Sequence, residues 1–431
     1  MKARYSYRIY PNDIQKKALA KLFGCVRVVW NDSLGHCLQL REQGNKKPSN
    51  ADLQKLFITQ AKKTKQREWL KEVSNIPLQQ SLNDLNQAYE NFFKSCTGKR
   101  KGKLVKPPRF KSKKNRQTAR FTRGGFKIGQ HKVYLTKIGK VKTIWSRPLP
   151  SEPSSVTVIK DCGGRYFLSF VVETKAEPLP RNENNVGIDL GITDFATLSN
   201  GEKIKAPKPL KKNLKKLKRF QRSLSRKTKG SKRREKARLR VAKLHTKIKN
   251  VREDFLHKLS TRLARENQTI VLEDLNTAGL MKNRRLSRAI SDLGWRQFRT
   301  FLEAKTEKYG RELRVIDRWE PTSQKCSCCG FRGGKLDLSI RQWECLNCGA
   351  IHDRDTNAAI NILVAGGHSE TKNGRGDKRK TTSKVAAVNE ASTHSEFKPK
   401  QLSLFDLDGW ESQCLIAWED VKERPYPPDK I

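Results

Sequence analysis

The sequence predicts a multidomain protein in which an α/β domain follows a helical segment and a small β-rich unit. Apolar residues recur at helical intervals across residues 11–97. Between residues 116 and 174 the pattern changes to a period of two, interrupted by Gly, Pro and Asp-Cys-Gly-Gly turns. After residue 181 buried strands alternate with helices, and two Cys-x-x-Cys pairs interrupt the later part. A chain of 431 residues is long enough for two or three such domains.

The first half of the chain begins with the alternating stretch "ARYSYRIYP", which predicts an opening strand over residues 1–10. Asn12 follows as a helix N-cap, and Gln15 stands three residues later, the spacing of a capping box. Helices with apolar stripes are predicted over residues 11–100. The basic connector "TGKRKGKLVKPPRFKSKK" then leads into a β barrel or sandwich, to which we assign residues 101–180.

The α/β region, residues 181–365, begins with "NNVGIDLGITDFATLSNG", a buried strand that turns into a hairpin. "TIVLEDL" and "ELRVIDRW" predict two further strands, and "SRAISDLGWRQFRTFLEAKTEKYG" predicts one helix ended by Gly310. Residues 366–431 are polar and poor in large apolar side chains, which predicts a disordered tail. The end of this tail is acidic, since residues 401–431 hold seven Asp or Glu against three Lys or Arg.

Positive charge dominates the composition, with 92 Lys and Arg against 43 Asp and Glu, a formal net charge of +49. Such a surface favours polyanionic partners, and its spread over several segments predicts a long nucleic-acid interface. The densest part, residues 201–250, contains 22 Lys or Arg and two Glu. Leucines recur there at helical intervals, so we predict two antiparallel basic helices over residues 205–252. Candidate nucleic-acid contacts on the first are Lys211, Lys212, Lys215, Lys216, Lys218 and Arg219.

The compartment follows from two further patterns. No apolar run approaches the length that crosses a membrane, and the first twenty residues lack the apolar core of a signal peptide. We therefore expect no membrane partner and a cytoplasmic protein, associated with the nucleoid in a prokaryote. In such a compartment the ten cysteines are expected to be thiols or metal ligands.

Two Cys-x-x-Cys pairs predict a metal site: Cys326 with Cys329, and Cys345 with Cys348, separated by fifteen residues. Two intervening residues allow both sulfurs of a pair to face one ion, and four thiolates complete the tetrahedron of a structural Zn²⁺. The sequence therefore predicts one zinc ribbon over residues 320–350. Cys328 is predicted to be a bystander.

Three carboxylates stand at the ends of predicted elements. Asp189 ends the strand "VGID", Glu273 ends "TIVLE", and Asp355 stands where the helix "DTNAAINILV" begins. Each alone is weak evidence, because aspartates at strand ends are usually turn formers. If the two strands are neighbours and the helix packs across them, the carboxylates converge, and their repulsion calls for divalent cations. Oxygen ligands favour Mg²⁺ or Mn²⁺, and two such ions can activate a water and stabilise the leaving oxygen of a phosphodiester.

In that order, "GIDLGITDFATLSNG", "IVLEDLN" and "RWEPTSQKCSCCG…RQWECLNCGAIHDRDTNAAINIL" resemble the TnpB family of insertion-sequence proteins, relatives of the type V CRISPR nucleases. The likeness extends to "YPNDIQKKALAKLFGCVRVVWN", "PLQQSLNDLNQAYENFF" and "KNRRLSRAISDLGWRQF". The resemblance implies an RNase H-like RuvC nuclease domain with an inserted zinc ribbon, an N-terminal helical recognition lobe and a β-barrel wedge domain. Residues 1–10 would be the first strand of that wedge domain.

The resemblance also implies roles for single residues. Carried over by position, the family's catalytic triad falls on three intact acids, Asp189, Glu273 and Asp355. His352 and Asp353 are then expected to cap the helix and orient the site, and Asn357 to brace it. Gln79 and Thr122 are candidates for reading a short DNA motif beside the target.

The leading hypothesis is therefore an RNA-guided, metal-dependent DNA endonuclease that is encoded by a mobile element and cleaves double-stranded DNA beside that motif. Its guide would be an RNA from the end of the element. Two other classes of function stay open. One is a DNA strand transferase, since RNase H-like acidic triads also serve transposases, and the other is a non-catalytic RNA-binding protein. The sequence predicts neither the oligomeric state nor the guide.

Overall fold

The computed structural model describes residues 2–367, except residues 101, 103, 114, 335, 336 and 338. The chain divides into two compact units, one formed by residues 2–174 and the other beginning at Lys175. The predicted disordered tail lies outside the described residues, apart from its first two positions.

Seven strands of the first unit form one sheet. They are β1 (Lys2–Tyr10), β2 (Gln117–Thr122), β3 (Phe126–Ile128), β4 (Lys132–Leu135), β5 (Gly139–Ile144), β6 (Ser155–Lys160) and β7 (Tyr166–Glu173). Their order is β2-β6-β7-β1-β5-β4-β3, and every pairing is antiparallel. The alternating side chains predict these strands because one face is buried, as Phe121 and Phe170 are. The stretch "FKIGQHKVYLTK" forms a hairpin of two strands, since it turns back between β3 and β4.

The described part of the same unit contains three α-helices, α1 (Asp13–Glu42), α2 (Asn50–Gln54) and α3 (Asn75–Cys96), with short π and 3-10 helical segments between α2 and α3. The predicted capping box is confirmed, because the Asn12 side chain accepts from the Gln15 amide at 2.8 Å and the Gln15 side chain accepts from the Asn12 amide at 3.1 Å. The helices and the sheet share one apolar core, in which Leu22 and Leu82 belong to the same cluster as Phe121.

The second unit is built on a five-stranded sheet with the order β10-β9-β8-β11-β12. The strands are β8 (Asn185–Asp189), β9 (Ala196–Leu198), β10 (Lys203–Ile204), β11 (Thr269–Glu273) and β12 (Glu312–Ile316). β8, β11 and β12 are parallel, whereas β9 and β10 form antiparallel extensions of β8. A separate pair, β13 (Gln342–Glu344) and β14 (Ile351–Asp353), belongs to the cysteine-containing region.

Six helices complete this unit: α4 (Pro209–Ser225), α5 (Lys232–Glu266), α6 (Thr277–Leu280), α7 (Ser287–Leu293), α8 (Trp295–Tyr309) and α9 (Arg354–Ala365). The prediction of one helix from residue 287 to Gly310 is wrong. The helix is interrupted at Gly294, whose left-handed φ of 78° ends α7 before α8 begins. The second basic helix also runs beyond residue 252, because Leu256 and Leu263 bury its last turns against the sheet.

Candidate functional site

Two of the three candidate carboxylates leave the sheet side by side. β8 and β11 are parallel neighbours in which Ile188 lies opposite Leu272. Asp189 and Glu273 are the next residues of the two strands, so both emerge at the carboxyl edge of the sheet. α9 packs across β8, with Asp355 in its first turn. The structure therefore brings together the three acids that the sequence analysis selected.

A close contact between α9 and β8 sets the position of Asp355. A Cβ atom on Gly187 would lie 2.1 Å from the Ala359 carbonyl oxygen and 2.7 Å from the Leu363 nitrogen. Because glycine has no side chain, the helix backbone can rest directly on the strand. Gly366 has a similar role at the other end of α9, where a Cβ would lie 2.6 Å from the Val271 side chain.

The electrostatics of this edge are unfavourable for three ionised acids. Burial raises the pKa of Asp189 to about 7, and the charges of Asp355 and Glu273 add to the increase. Burial and the neighbouring Asp274 raise the pKa of Glu273. Two arginines compensate part of this charge: a guanidinium nitrogen of Arg341 lies 3.4 Å from an Asp355 oxygen, and the charge of Arg354 lowers the pKa of Asp189. The pKa of Asp189 stays raised despite these cations, and such a cluster of oxygen ligands suits a hard divalent cation.

Asp353 caps α9, as the sequence predicted. Its carboxylate accepts hydrogen bonds from the Thr356 amide and hydroxyl, both at 3.0 Å, and pairs with Lys203 at 2.7 Å. The carboxylate oxygens of Asp353 are thus engaged in the N-cap and the ion pair. Burial alone would raise the pKa of Asp353, but the contacts with Lys203 and Thr356 lower it. Asp355 is consequently the acid of the pair that acts on Asp189.

The role predicted for His352 is wrong. This residue is buried on β14, and its Nε2 atom lies 3.0 Å from the Cys326 sulfur. It therefore belongs to the cysteine cluster instead of capping α9. Burial lowers the pKa of the imidazole, which favours the neutral ring.

The four cysteines of the two pairs form a compact cluster. The Cys326 and Cys348 sulfurs are 3.7 Å apart, and those of Cys329 and Cys345 are 3.6 Å apart. Four sulfurs held about 2.3 Å from a tetrahedral zinc ion would be about 3.8 Å from one another, so the geometry fits zinc. Cys328 is exposed, yet its sulfur lies within 4.8 Å of the ligand atoms of Cys326 and His352. Within the described residues the carboxylates form no group as tight as these.

Two buried asparagines connect the first cysteine pair to α9. The Asn357 side chain accepts from the Ser327 amide at 2.9 Å and donates to the Lys325 carbonyl at 2.8 Å. The Asn361 side chain donates to the same carbonyl at 2.7 Å and to the Thr322 carbonyl at 2.8 Å. Asn357 thus braces the cysteine loop against the helix that carries Asp355.

The predicted basic helices are present as α4 and α5, and they pack against each other. All six candidate cations of α4, Lys211, Lys212, Lys215, Lys216, Lys218 and Arg219, are exposed, while Leu217 is buried against α5. Asp292 fixes the start of α4, because its carboxylate accepts from the Leu210 and Lys211 amides at 2.9 and 3.0 Å. The helix therefore presents its cations from an anchored N-terminus.

The two candidates for reading DNA lie in the first unit. Gln79 is exposed near the start of α3, and Thr122 is half-buried at the end of β2. The two elements pack together, and an Arg120–Asp84 ion pair of 2.6 Å joins them. Both residues therefore stand on elements that contact each other.

A group of charges beside Glu273 was not predicted from the sequence. Asp274 pairs with Arg299 at 2.8 Å and also with Arg318, and these hydrogen bonds lower its pKa. Two guanidinium groups are thereby held next to the carboxyl edge of β11. The only signal in the sequence is the second acid of "LEDL", because the arginines come from distant positions.

No helix within the described residues is both long and apolar enough to cross a membrane.

Comparison with known proteins places the chain among proteins of mobile elements. A family model described as "Probable transposase" matches residues 169–284, "Cas12f1-like, TNB domain" matches residues 295–362, and "Helix-turn-helix domain" matches residues 1–46. The described part of that last range forms β1 and the single helix α1. A solved structure, "Cryo-EM structure of the Cas12f1-sgRNA-target DNA complex", is similar at 16% identity and a TM-score of 0.33, covering 84% of this chain and 99% of that chain.

Curated relatives match over most of their length. A "Putative RNA-guided DNA endonuclease" of Streptomyces pristinaespiralis is 47% identical over 370 residues, which cover 85% of this chain and 90% of that protein. "Putative RNA-guided DNA endonuclease InsQ" of Escherichia coli (strain K12) is 31% identical over 380 residues, 84% of this chain and 92% of that protein. "TnpB-like protein L770" of Acanthamoeba polyphaga mimivirus is 26% identical over 386 residues, 83% and 72% of the two chains. On this identity and coverage, the chain belongs to the TnpB family of IS605-type insertion sequences.

Proposed function

We propose that the protein is an RNA-guided, metal-dependent DNA endonuclease with a RuvC-type nuclease domain. The observation that carries the proposal is the convergence of Asp189, Glu273 and Asp355 at the carboxyl edge of two parallel strands. The names of the relatives in Streptomyces and Escherichia support the same activity. In the domain organisation that we propose, residues 1–10 and 101–180 form the wedge domain and residues 11–100 form the recognition lobe. The nuclease domain would span residues 181–365.

The three carboxylates would hold Mg²⁺ or Mn²⁺. Bound there, two such ions would supply an activated water and stabilise the leaving oxygen of a DNA phosphodiester. The residues of the chain fix where this occurs. Gly187 lets α9 approach the sheet, the Asp353 cap fixes the first turn of that helix, and Asp355 projects from this turn toward Asp189. The cysteine cluster would hold one structural Zn²⁺, as its sulfur spacing supports.

The proposed partners are a guide RNA from the end of the mobile element and a double-stranded DNA target. The exposed cations of α4 would contact RNA phosphates, because phosphate neutralisation supplies sequence-independent affinity. Gln79 and Thr122 would read the motif beside the target.

RNA that copurifies with the full chain tests the proposal directly. We expect a discrete structured RNA whose variable 3′ segment directs cleavage, so that changing this segment redirects cleavage to a new matching DNA. Asp189→Asn, Glu273→Gln and Asp355→Asn should each abolish cleavage and leave guided DNA binding intact, since affinity comes from phosphate contacts and base pairing. Asp353→Asn serves as the matched control, because its carboxylate caps α9, and should be milder.

Two results would replace the proposal. RNA-free protein that joins transposon ends would favour the strand transferase. Retention of RNA with no cleavage of a matched target, in the presence of Mg²⁺ or Mn²⁺, would favour the RNA-binding protein.

A further inference from the structure

A segment between α3 and β2 differs from an ordinary basic linker. Residues 104–113, "LVKPPRFKSK", run along the helices of the first unit, and we name this segment the basic strap. The sequence alone indicates only a basic connector here. In the structure its backbone is bound by side chains along its length.

The central tie is Asn31 of α1, which is buried. Its Nδ2 atom donates to the Lys111 carbonyl at 3.0 Å, and its Oδ1 atom accepts from the Lys111 amide at 2.8 Å. Trp30 adds a bond from its indole nitrogen to the Arg109 carbonyl at 3.0 Å. A side-chain amide that pairs with both backbone groups of one residue fixes that residue as a neighbouring strand would.

The ends of the strap are tied as well. The Ser95 hydroxyl accepts from the Val105 amide at 2.9 Å. The Gln117 Nε2 atom donates to the Asn115 carbonyl at 2.7 Å and lies 3.2 Å from both the Ser112 and the Lys113 carbonyl oxygens. Between these ties Pro107 and Pro108 are buried, and their fixed φ keeps the chain extended.

The strap holds one of its own cations inward. The Lys111 ammonium lies 3.6 Å from the centre of the Trp30 ring, and burial lowers the pKa of this lysine to about 8. A lysine in that position contributes packing and a cation–π contact to the attachment of the strap.

Other cations of this segment face solvent. Arg109, Lys113 and the following Arg116 are exposed, and none of the three forms an ion pair within the described part of the chain. Asp84, the carboxylate that acts on Lys111, is already paired with Arg120 at 2.6 Å. The strap thus presents unneutralised positive charge on a backbone that is already ordered.

We infer that Arg109, Lys113 and Arg116 form a preorganised binding site for the phosphodiester backbone of a nucleic acid. A merely solvated basic loop requires no backbone ties, whereas ordering before binding removes an entropic cost of association. Four residues of fully extended chain span about 12 Å, which is the rise of three to four nucleotides of one duplex strand. The inference rests on the proposed function only in taking a nucleic acid as the ligand, and it does not require that the protein cleaves DNA.

Binding is tested in an Asp189→Asn background, so that failure of the nuclease proposal does not affect the result. Fluorescence anisotropy would measure binding of a labelled DNA duplex in one arm and of the copurified RNA, stripped and labelled, in the other, across a salt series. The charge variant is Arg109→Ala/Lys113→Ala/Arg116→Ala. Its matched control, Lys46→Ala/Lys63→Ala/Lys65→Ala, removes equal charge from exposed positions of the same unit.

Log affinity falls with log salt, and we expect the charge variant to make this slope shallower by about 2 to 3. The slope of the control should be closer to that of the parent. An effect in the RNA arm alone assigns the site to the guide, and one in the DNA arm alone assigns it to the target. Equal slopes for the charge variant and the control in both arms would overturn the site. Anionic phosphatidylserine vesicles provide a third arm, and an equal loss of vesicle binding would replace the nucleic acid by a membrane surface.

A second pair of variants tests the preorganisation without changing charge. Asn31→Ala and Gln117→Ala each remove ties to the strap, and we expect about three- to tenfold weaker binding from either. Gln117→Ala guards against a folding defect, because Gln117 is half-buried at the start of β2, whereas Asn31 is buried. Parental affinity in Gln117→Ala and in a folded Asn31→Ala protein would show that the ties have no function in binding.

Discussion

Replacing Gly187 by alanine tests whether the contact between α9 and β8 positions the active site. The new Cβ would lie 2.1 Å from the Ala359 carbonyl oxygen, and a Cβ atom does not approach a heavy atom within 3.0 Å. The helix must therefore move outward by at least 0.9 Å, carrying Asp355 away from Asp189. A displacement of about 1 Å at a reacting centre costs about 100-fold in rate. Overpacking of this kind also lowers the free energy of unfolding by about 1 to 3 kcal/mol.

The assay compares cleavage of a guide-matched DNA by parental and variant complexes, with bound RNA and urea unfolding measured in parallel. Gly24→Ala in α1 is the matched control, because a Cβ there would meet no atom within 4 Å, and it should cleave like the parent. RNA retention should not change in either variant. A Gly187→Ala complex that cleaves within a few-fold of the parent would refute the reasoning, since Asp355 would then not depend on this contact.

Four further outcomes follow from the charges and ties of the site. Without divalent cations, the free energy of unfolding should fall by at most about 4 kcal/mol as the pH rises from about 4 to 7, because the raised pKa of half-buried Asp189 opposes ionisation in the folded state. Urea unfolding at pH 4 and at pH 7 measures this change, which Asp189→Asn should reduce. Asn357→Ala should cost about 1 to 3 kcal/mol in urea unfolding and lower cleavage more than RNA binding, since it releases the cysteine loop from α9. Elemental analysis should find one Zn²⁺ per chain in the parent and less in Cys348→Ser, which should also melt at a lower temperature. Lys215→Glu/Lys216→Glu should weaken RNA retention at a fixed salt concentration, which filter binding measures.

Local signals in the sequence predict much of the fold because their causes are local. The capping box at Asn12 depends on two side chains three residues apart, and it is present with both hydrogen bonds. The alternating strands carry their own burial pattern, and "VGID" and "TIVLE" are apolar because they become interior parallel strands. Periodicity alone could not predict that the distant carboxylates lie close together. The resemblance to the TnpB family supplied that prediction.

The features that were missed depend on contacts between distant residues. Gly294 ends α7 in a left-handed conformation, and a Cβ there would lie 3.1 Å from the Arg252 side chain of α5, a contact that the apolar spacing of the stretch does not reveal. His352 precedes a helix and so resembles a capping residue, yet a hairpin turns its ring onto Cys326. The basic strap lacks any period, since its order comes from Asn31 and Gln117 on other elements.

α9 is the element in which these contacts meet. Gly187 allows the backbone of α9 to contact the sheet, and Asp353 caps its first turn. Asn357 forms hydrogen bonds from the helix to the loop of the first cysteine pair. The loop and the strand both contact this helix, so a change at either one should move Asp355 without any direct contact to it. Cleavage by Asn357→Ala and Gly187→Ala should therefore be non-additive, with the double variant losing less than the product of the two single losses. Multiplicative losses in a double-mutant cycle on cleavage rate would show that the cysteine loop and the strand position the carboxylate independently.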